Sequence, residues 1–430
     1  MFGKVCLALV VPFYLYGLSL DEAISTALKN SVELKKSSLN KDVAKNDLKE
    51  KRSANYGRVD LLASYTHYNI PRTLAPVVPS GTSPIDTTED LLSVGVNYSV
   101  DIFNGFADIS SIKASELQKN IAKNLNILTK EQIVYNVKTF YLNILSLKEQ
   151  VKAQQNYVNA LKKLNDDISY KVKLGRLSKL DELKSLSELN HAISKLYEIK
   201  TNEKNMRESL ATLLMIDEIK DVEPLYVDMT KQYADIKDYE DELLKTKRVE
   251  VDRLKVEQQK ALRDKTKSVY YPKVTFNANY VQNSGENDDD NKNAGDYNSE
   301  DVWQVGVSLK WNIFDFGKKH SMLQKSKIAY LQSNLDKDKT KRELKQLLVE
   351  ALNKIDLNRV KYESAKSDVE LTKETQKIEQ IRYDNGVSKI DDLLVAKAKF
   401  LLAESALIDA KYKYQNGIDY LKYILEKGSK

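Results

Sequence analysis

Residues that could do chemistry are few in this chain, and most of them stand alone. The three histidines, His67, His191 and His320, lack the close spacing that a metal site or a catalytic group requires. The single cysteine, Cys6, has no second cysteine with which to form a disulfide. The glycine-rich pattern of a phosphate-binding loop is also missing. The sequence therefore predicts no enzyme, no cofactor and no metal centre built on these residues.

Acidic residues provide the other candidate chemistry. The aspartates at residues 288–290 lie among asparagines and glycines. Carboxylates bind hard cations, so a calcium loop is the alternative to a plain solvated loop there, although the ligand spacing of a recognised calcium loop is missing. Asp181 and Asp391 are placed differently, because each follows a short turn that begins with a glycine.

The two turns share a pattern that predicts helix capping. They read GRLSKLD from Gly175 and GVSKID from Gly386, and the second is one residue shorter. In each turn a serine, Ser178 or Ser388, precedes the aspartate by three residues. A serine followed three residues later by an acid is a capping box, and the helix N-terminus stabilises the acid. Capping alone is a sufficient role for both aspartates.

Long helices are predicted to lead into these turns. Residues 107–173 and 318–384 contain neither proline nor glycine, and their apolar residues recur at alternating steps of three and four. This spacing indicates coiled-coil packing. Helices of about half that length are predicted at residues 21–54 and 178–215.

Two strand pairs interrupt the helices. Apolar residues alternate strictly with small or polar ones at residues 94–102 and again at 305–313. This period of two predicts strands with one apolar face and one wet face. Weaker alternation at residues 59–65 and 274–280 predicts their partner strands. Each half of the chain therefore has the order helix, strand, strand, helix, which indicates that one unit is used twice.

The predicted organisation follows from this duplication. Residues 1–18 have the basic start and apolar run of a secretory signal peptide, with cleavage expected near residues 17–19; a buried first element is the alternative. The remaining segments are a first repeat at 19–216 with strands at about 56–68 and 92–103, a linker at 217–238, and a second repeat at 239–430 with strands at about 270–282 and 302–314.

Aromatic residues lie near the ends of the apolar strand faces. Trp303 and Trp311 are eight residues apart on one predicted strand, and Tyr65 and Tyr280 lie near the ends of others. Such girdles are typical of a lipid-facing band, while a soluble sandwich that buries these residues is the alternative. A sheet in lipid must close on itself. Four strands are too few, so a transport role favours three chains with twelve strands and a lumen.

The distribution of charge argues against nucleic-acid binding. The chain has 68 basic and 62 acidic residues, and its net charge is only +6. These charges are interspersed, whereas a nucleic-acid-binding protein presents a concentrated basic surface. The pattern predicts solvated helix faces.

The order and duplication of these motifs resemble those of the TolC family of outer-membrane efflux proteins. The resemblance is carried by LSLDEAISTALKN at residues 18–30, YYPKVTFNANY at 270–280, VSLKWNIFDFGKK at 307–319 and RYDNGVSKIDDLLVAKAKFLLAE at 382–404. It implies a mainly α-helical homotrimer with a twelve-stranded β-barrel in outer-membrane lipid and a periplasmic tunnel of coiled-coil helices. It also implies a periplasmic adaptor protein and an inner-membrane transporter as partners, in an efflux or type I secretion system.

The resemblance also assigns roles to the turns. It implies that acids just beyond the second turn ring the channel entrance and favour cations, and Asp391 matches that position. Leu394 departs from a second acid expected one turn later, and the substitute candidate Asp392 points elsewhere on the helix. The residues expected at the periplasmic tip, where the adaptor docks, are Gly175, Leu177, Ser178, Asp181, Gly386, Val387 and Ser388.

A function of another class shares the signal peptide and the heptads. A secreted coiled-coil structural or adhesive protein would have both features. It would not account for two strand pairs with aromatic girdles, so the sequence favours the channel.

Overall fold

The computed structural model of the chain describes residues 17–73, 87–230, 236–286 and 297–429. Residues 1–16 of the predicted signal peptide and the aspartates at 288–290 lie outside these ranges. The elements in chain order are α1 (Leu20–Asn30), α2 (Val32–Ser53), β1 (Arg58–Thr73), β2 (Thr87–Phe103), α3 (Ala107–Lys173), α4 (Lys179–Leu214), α5 (Ile236–Leu244), α6 (Lys247–Lys267), β3 (Lys273–Gly285), β4 (Tyr297–Lys310), α7 (Lys318–Asp384) and α8 (Ile390–Ile424).

The two long helices, α3 and α7, have 67 residues each and the bounds that the sequence predicts. The side chains of Asn104 and Asp315 help to start them. Asn104 Oδ1 accepts the N–H of Asp108 at 3.4 Å, and Asp315 Oδ2 accepts the N–H of Lys319 at 2.9 Å. In the part of the chain that the structure describes, no helix is both long and apolar enough to cross a membrane.

The strands form one antiparallel sheet in the order β1-β2-β3-β4. The central pair, β2 and β3, joins the two halves of the chain, with Val96 opposite Tyr280. All four strands extend further toward the loops than the sequence indicates, since β1 ends at Thr73, β2 begins at Thr87, β3 ends at Gly285 and β4 begins at Tyr297. Cross-strand pairing keeps these polar stretches extended, and a pattern based on apolar alternation does not detect it.

The strand β4 ends earlier than expected. It stops at Lys310, whereas the predicted strand continued to about residue 314. Beyond it, the indole Nε1 of Trp311 donates a hydrogen bond to the carbonyl oxygen of Tyr270 at 3.1 Å. Phe316 and Gly317 then adopt positive φ values of 55° and 92°. This left-handed turn directs the chain into α7, and glycine adopts such a conformation without strain.

The described residues form two compact units. Unit 1 comprises the parts of residues 1–38, 124–250 and 339–430 that the structure describes, and unit 2 comprises those of 39–123 and 251–338. The main core of unit 1 contains residues such as Ile144, Leu214 and Leu348. A second core in the same unit lies along the helices near the two turns, and its buried members include Leu161, Ile168 and Leu393.

Unit 2 holds the sheet and the helical segments next to it. Its buried helical residues include Leu48 of α2, Leu117 and Ile121 of α3, and Leu254 and Ala261 of α6. The apolar strand residues are different, because many remain exposed in the single chain. Val59, Leu61, Val307 and Leu309 are all among them.

Candidate functional site

The first turn, between α3 and α4, has the predicted capping box. The N–H of Asp181 donates to Ser178 Oγ at 3.2 Å, and the N–H of Ser178 donates to Asp181 Oδ2 at 3.2 Å. Gly175 ends α3 with a φ of 72°. A Cβ added there would meet no atom within 4 Å, so the left-handed backbone, and not space, favours glycine.

The second turn, between α7 and α8, corrects the prediction for Ser388 and Asp391. The N-cap is Lys389, whose N–H donates to Asp392 Oδ2 at 3.3 Å. Ser388 Oγ is buried without a hydrogen-bond partner. In both turns the N-cap stands three residues after the glycine, at Ser178 and at Lys389. Ser388 follows Gly386 by only two residues, so it lies one residue before the N-cap position. Asp392 therefore takes the capping role, and the carboxylate of Asp391 is not used in the cap.

Asp391 instead contacts the other helical hairpin. Its Oδ2 lies 2.6 Å from the Nζ of Lys184 on α4, with 51% of the aspartate side chain and 38% of the lysine side chain exposed. The hydrogen bond from Lys184 to Asp391 raises the pKa of the lysine. The pair joins the N-terminal turns of α4 and α8, so one helix from each half of the chain contributes to it.

Behind the turns, Tyr383 is buried in the second core of unit 1. Burial raises the pKa of Tyr383 to about 12. Its hydroxyl has no hydrogen-bond partner, and the ammonium of Lys171 lies 5.7 Å from the ring centroid. The ring is therefore held by apolar packing and a cation–π contact.

Helix α8 carries two charged residues toward the interior of unit 1. Lys397 is buried, and desolvation lowers its pKa although Asp384 acts in the opposite direction. Glu404 lies seven residues further on, which is two helical turns along the same face. Burial raises the pKa of Glu404. Both shifts disfavour the charged form, as expected where desolvation is stronger than any nearby opposite charge.

The apolar residues of the two turns differ in exposure. Val387 is 68% exposed at the second turn. Leu177 of the first turn is partly buried against the second core of unit 1. The other predicted tip residues have structural roles: Gly175 and Gly386 adopt positive φ values, and Ser178 caps α4. Val387 is an apolar side chain that the second turn leaves exposed.

The aromatic residues assigned to a membrane girdle lie on the sheet or just beyond it. Trp303 of β4 is paired in register with Tyr280 of β3, and the indole is 73% exposed. Tyr65 of β1 is also exposed, and its hydroxyl donates to Asp90 Oδ1 at 2.5 Å. Trp311 follows β4 and is bonded to the Tyr270 carbonyl described above. The structure thus places Trp303 beside Tyr280 in the middle of β4 and holds Trp311 just beyond the C-terminal end of that strand.

The other face of the sheet carries a polar network. Asp101 of β2 accepts a hydrogen bond from Thr275 Oγ1 at 2.9 Å and pairs with the Nζ of Lys273 at 2.9 Å. Ser93 Oγ donates to Asn283 Oδ1 at 2.6 Å. The sheet is therefore apolar on one face and hydrogen-bonded on the other, which is the arrangement of a strand layer between lipid and water.

Lys184 is the functional candidate that the sequence did not indicate. It lies three residues after Asp181, and its partner Asp391 is 207 positions away. Lys184 is the sixth residue of α4 and lies beyond its first turn, so the helix dipole gives no signal there. The pairing depends on a contact between the two helical hairpins, which no local pattern in the sequence indicates.

Comparison with known proteins gives one family match. The family model described as outer membrane efflux protein matches residues 23–214 and 239–424. None of the curated proteins matches the chain.

Solved structures share the fold over nearly the whole chain. The outer membrane protein VceC from Vibrio cholerae is 15% identical, with a TM-score of 0.79 over 95% of this chain and 96% of VceC. The CmeC outer membrane channel from Campylobacter jejuni is 19% identical, with a TM-score of 0.79 over 95% of this chain and 86% of CmeC. The open state of the MtrE outer membrane channel from Neisseria gonorrhoeae is 18% identical, with a TM-score of 0.76 over 96% of this chain and 89% of MtrE.

Proposed function

The chain belongs to the outer membrane efflux protein family, and we propose that three copies of it assemble into one channel that conducts substrates passively. The family gives its location, the outer membrane, and its role, efflux. The observation that carries the trimer is the four-stranded sheet, in which β1 and β4 each pair with one neighbour only. Unpaired strand edges are costly in lipid, so the edges must be joined by other copies.

Three copies meet this requirement and leave a passage. Twelve strands enclose a lumen, whereas eight would leave an interior filled by side chains. The polar face of the sheet, with Asp101 and Thr275, then lines the lumen. The apolar face, with Trp303 and Tyr280, then contacts lipid.

Exposed apolar stripes on the helices of unit 1 support contact between copies. On α7 the stripe contains Leu357, Val360, Leu371, Ile378 and Ile381, all of them exposed in the single chain. They fall on positions that alternate by three and four, as in a coiled-coil seam, with Ser364, Ser367 and Glu374 at the intervening positions. A solvated helix would not keep such a stripe, so a helix from another copy is the proposed occupant.

The proposed partners are a periplasmic adaptor protein and an inner-membrane transporter. A channel that only conducts has to receive its substrate and its energy from other proteins. The turns that contain Val387 and Leu177 are the proposed docking surface, because they end the helical hairpins of unit 1. Efflux of small molecules and type I protein secretion both use this arrangement in the family that the chain resembles.

The channel proposal is tested on protein purified from the outer membrane in detergent. We expect a particle with the mass of three chains, a mobility in gels that changes on heating, and discrete conductance steps in planar bilayers. A water-soluble monomer without conductance would instead support the secreted coiled-coil alternative.

The docking surface is tested with single cysteines that carry a photo-crosslinker. Val387→Cys places the probe at the second turn, and Tyr226→Cys, at an 88% exposed residue between α4 and α5, is the matched control. We expect crosslinks to a periplasmic adaptor from position 387 only. Equal crosslinking from both positions would contradict docking at the turn.

A further inference from the structure

The start of the described chain is joined to the segment between α4 and α5. The N–H of Leu18 donates to the carbonyl oxygen of Asp221 at 2.9 Å, and the N–H of Glu223 donates to the Leu18 carbonyl oxygen at 3.1 Å. Leu18 and Val222 thereby form a parallel bridge. The hydroxyl of Tyr141, whose side chain is buried, lies 2.8 Å from the same Leu18 oxygen. Leu18 is therefore part of the folded structure of unit 1.

Ser19 is structural as well. It is the N-cap of α1, and its Oγ accepts the N–H of Glu22 at 3.3 Å. Its own N–H donates to Glu22 Oε2 at 3.2 Å, which completes a capping box. The first helix therefore depends on the serine side chain for its start.

Gly17 contributes differently. Among the described residues it makes no hydrogen bond, and a Cβ added to it would lie only 3.0 Å from the carbonyl carbon of Val222. The chain can therefore begin after Gly17 without leaving any hydrogen-bonding group of the fold unpaired.

Two peptide bonds are candidates for removal of the predicted signal peptide. Signal peptidase cuts after a small residue that follows the apolar run. Between residues 11 and 20 the small residues are Gly17 and Ser19. The recognition pattern has small residues at the last position before the cut and two positions earlier. By this pattern alone a cut after Ser19 is favoured, because Ser19 and Gly17 would occupy those two positions.

The two cuts differ in which contacts of the folded protein the mature chain would keep. A cut after Ser19 would remove the α1 cap and leave the N–H of Glu223 without its partner. It would also place an α-ammonium on Leu20, the first residue of α1, where the helix dipole is already positive. A cut after Gly17 keeps every one of these contacts, and the new ammonium is formed on the nitrogen that already donates to Asp221.

We propose that signal peptidase hydrolyses the Gly17–Leu18 bond, so that the mature protein begins at Leu18. One water is consumed as the C–N bond breaks: its oxygen joins the carbonyl carbon of Gly17, and the nitrogen of Leu18 takes up both of its protons. The released signal ends in a carboxylate, and the mature chain begins with an ammonium. This inference rests on the proposed function, because only an exported chain meets signal peptidase.

The N-terminus of the protein recovered from the outer membrane tests the proposal. The full chain is expressed in a Gram-negative host, its N-terminal amine is labelled, and the first peptide is identified by mass spectrometry. We expect it to begin at Leu18. A first residue of Leu20, or a retained Met1, overturns the proposal, and in either case the conductance assay still decides the channel separately. A start at Leu18 in a protein that forms no trimer would uphold the cleavage and reject the channel.

Two matched variants locate the bond further. Ser19→Asp keeps a capping oxygen but removes the small residue before Leu20, so cleavage to Leu18 should continue unchanged. Gly17→Leu removes the small residue before Leu18, so uncleaved precursor should accumulate; Gly17 is also a recognition position of a cut after Ser19, so this variant tests the need for Gly17 in either cut. Ser19→Asp separates the two bonds, and blocked processing of that variant would overturn the assignment.

Discussion

One residue, Asp391, which the family resemblance assigns to the channel entrance, forms an ion pair with Lys184. Lys184 lies 2.6 Å away, and both side chains are partly exposed, so the pair is screened and weakly held. Asp392 occupies the capping position, which leaves Asp391 with no structural duty at the start of α8. In a trimer, each copy would present a carboxylate and an ammonium side by side at the entrance.

Substitutions of the two partners should therefore change ion preference in opposite directions. We expect Asp391→Asn to reduce cation preference, since it leaves the ammonium of Lys184 unopposed, and Lys184→Gln to increase it. Reversal potentials across a salt gradient in planar bilayers measure both. Asp392→Asn is the comparison, because it removes the adjacent charge that does not pair with Lys184, while its amide oxygen can still accept the N–H of Lys389. Unchanged selectivity in both partner variants would remove Asp391 from the entrance.

The hydroxyl of Tyr141 is expected to stabilise unit 1. It lies 2.8 Å from the carbonyl oxygens of both Leu18 and Glu223, and burial raises the pKa of Tyr141 to about 12. Tyr141→Phe should lower the free energy of unfolding by about 1–2 kcal/mol, because a buried acceptor loses its donor. Thermal unfolding in detergent measures the change. Tyr226→Phe, at an exposed position, should leave the midpoint unchanged; equal shifts would show that the hydroxyl contact has no role.

Glu404 should make the stability depend on pH. Burial raises the pKa of Glu404 above the ordinary value of a glutamate, about 4.5, so the folded state favours the protonated form. Its contribution therefore becomes less favourable as pH rises from about 4.5 through the folded-state pKa. We expect Glu404→Gln to unfold at a higher temperature than the wild type at neutral pH and at the same temperature below pH ~4. Glu208→Gln, which changes an exposed carboxylate, is the control. A stabilisation that persists in acid would contradict the burial argument.

The helices differ in how far local sequence determines where they begin and end. The bounds of the long helices α3 and α7 could be predicted closely, because proline and glycine are absent within them and glycine follows each. The break between α1 and α2 at Ser31 could not. There the side chain of Asn30 donates to the carbonyl oxygen of Leu214 at 3.0 Å, a contact from a distant part of the chain. The shifted cap of α8 was missed because the turn glycine, and not the serine, sets the register.

The two turns allow a matched test of capping. Ser178→Ala removes the oxygen that accepts the N–H of Asp181, which should cost about 1 kcal/mol. Ser388→Ala removes a hydroxyl that is buried without a partner, so it should be neutral or stabilising. Thermal unfolding gives the magnitude, and amide exchange at the start of α4 gives the location. Equal losses in both variants would restore the serine cap to α8.

At the scale of the whole molecule, the four-stranded sheet is the feature on which the channel proposal depends. The sequence predicted its four strands, since the alternation of apolar and polar residues is a local property. It could not predict where each strand ends or the pairing of Asp391 with Lys184, because those depend on contacts between the two halves. Neighbouring residues of β4 nevertheless point to opposite faces, which provides a test of the whole arrangement.

In the proposed barrel, Val307 lies on the lipid-facing side of the sheet and its neighbour Ser308 on the lumen side. Val307 lies on the apolar face about midway between Trp303 and Trp311, and 64% of it is exposed in the single chain. An arginine near the middle of the bilayer costs about 2–4 kcal/mol on a lipid-facing position. We therefore expect Val307→Arg to reduce the amount of heat-modifiable trimer in the outer membrane. Ser308→Arg should assemble normally and alter single-channel conductance, because a lumen residue contacts water. If Val307→Arg assembled normally while Ser308→Arg failed, the two faces would have to be exchanged, and loss of both alike would argue for a sheet buried in a private core.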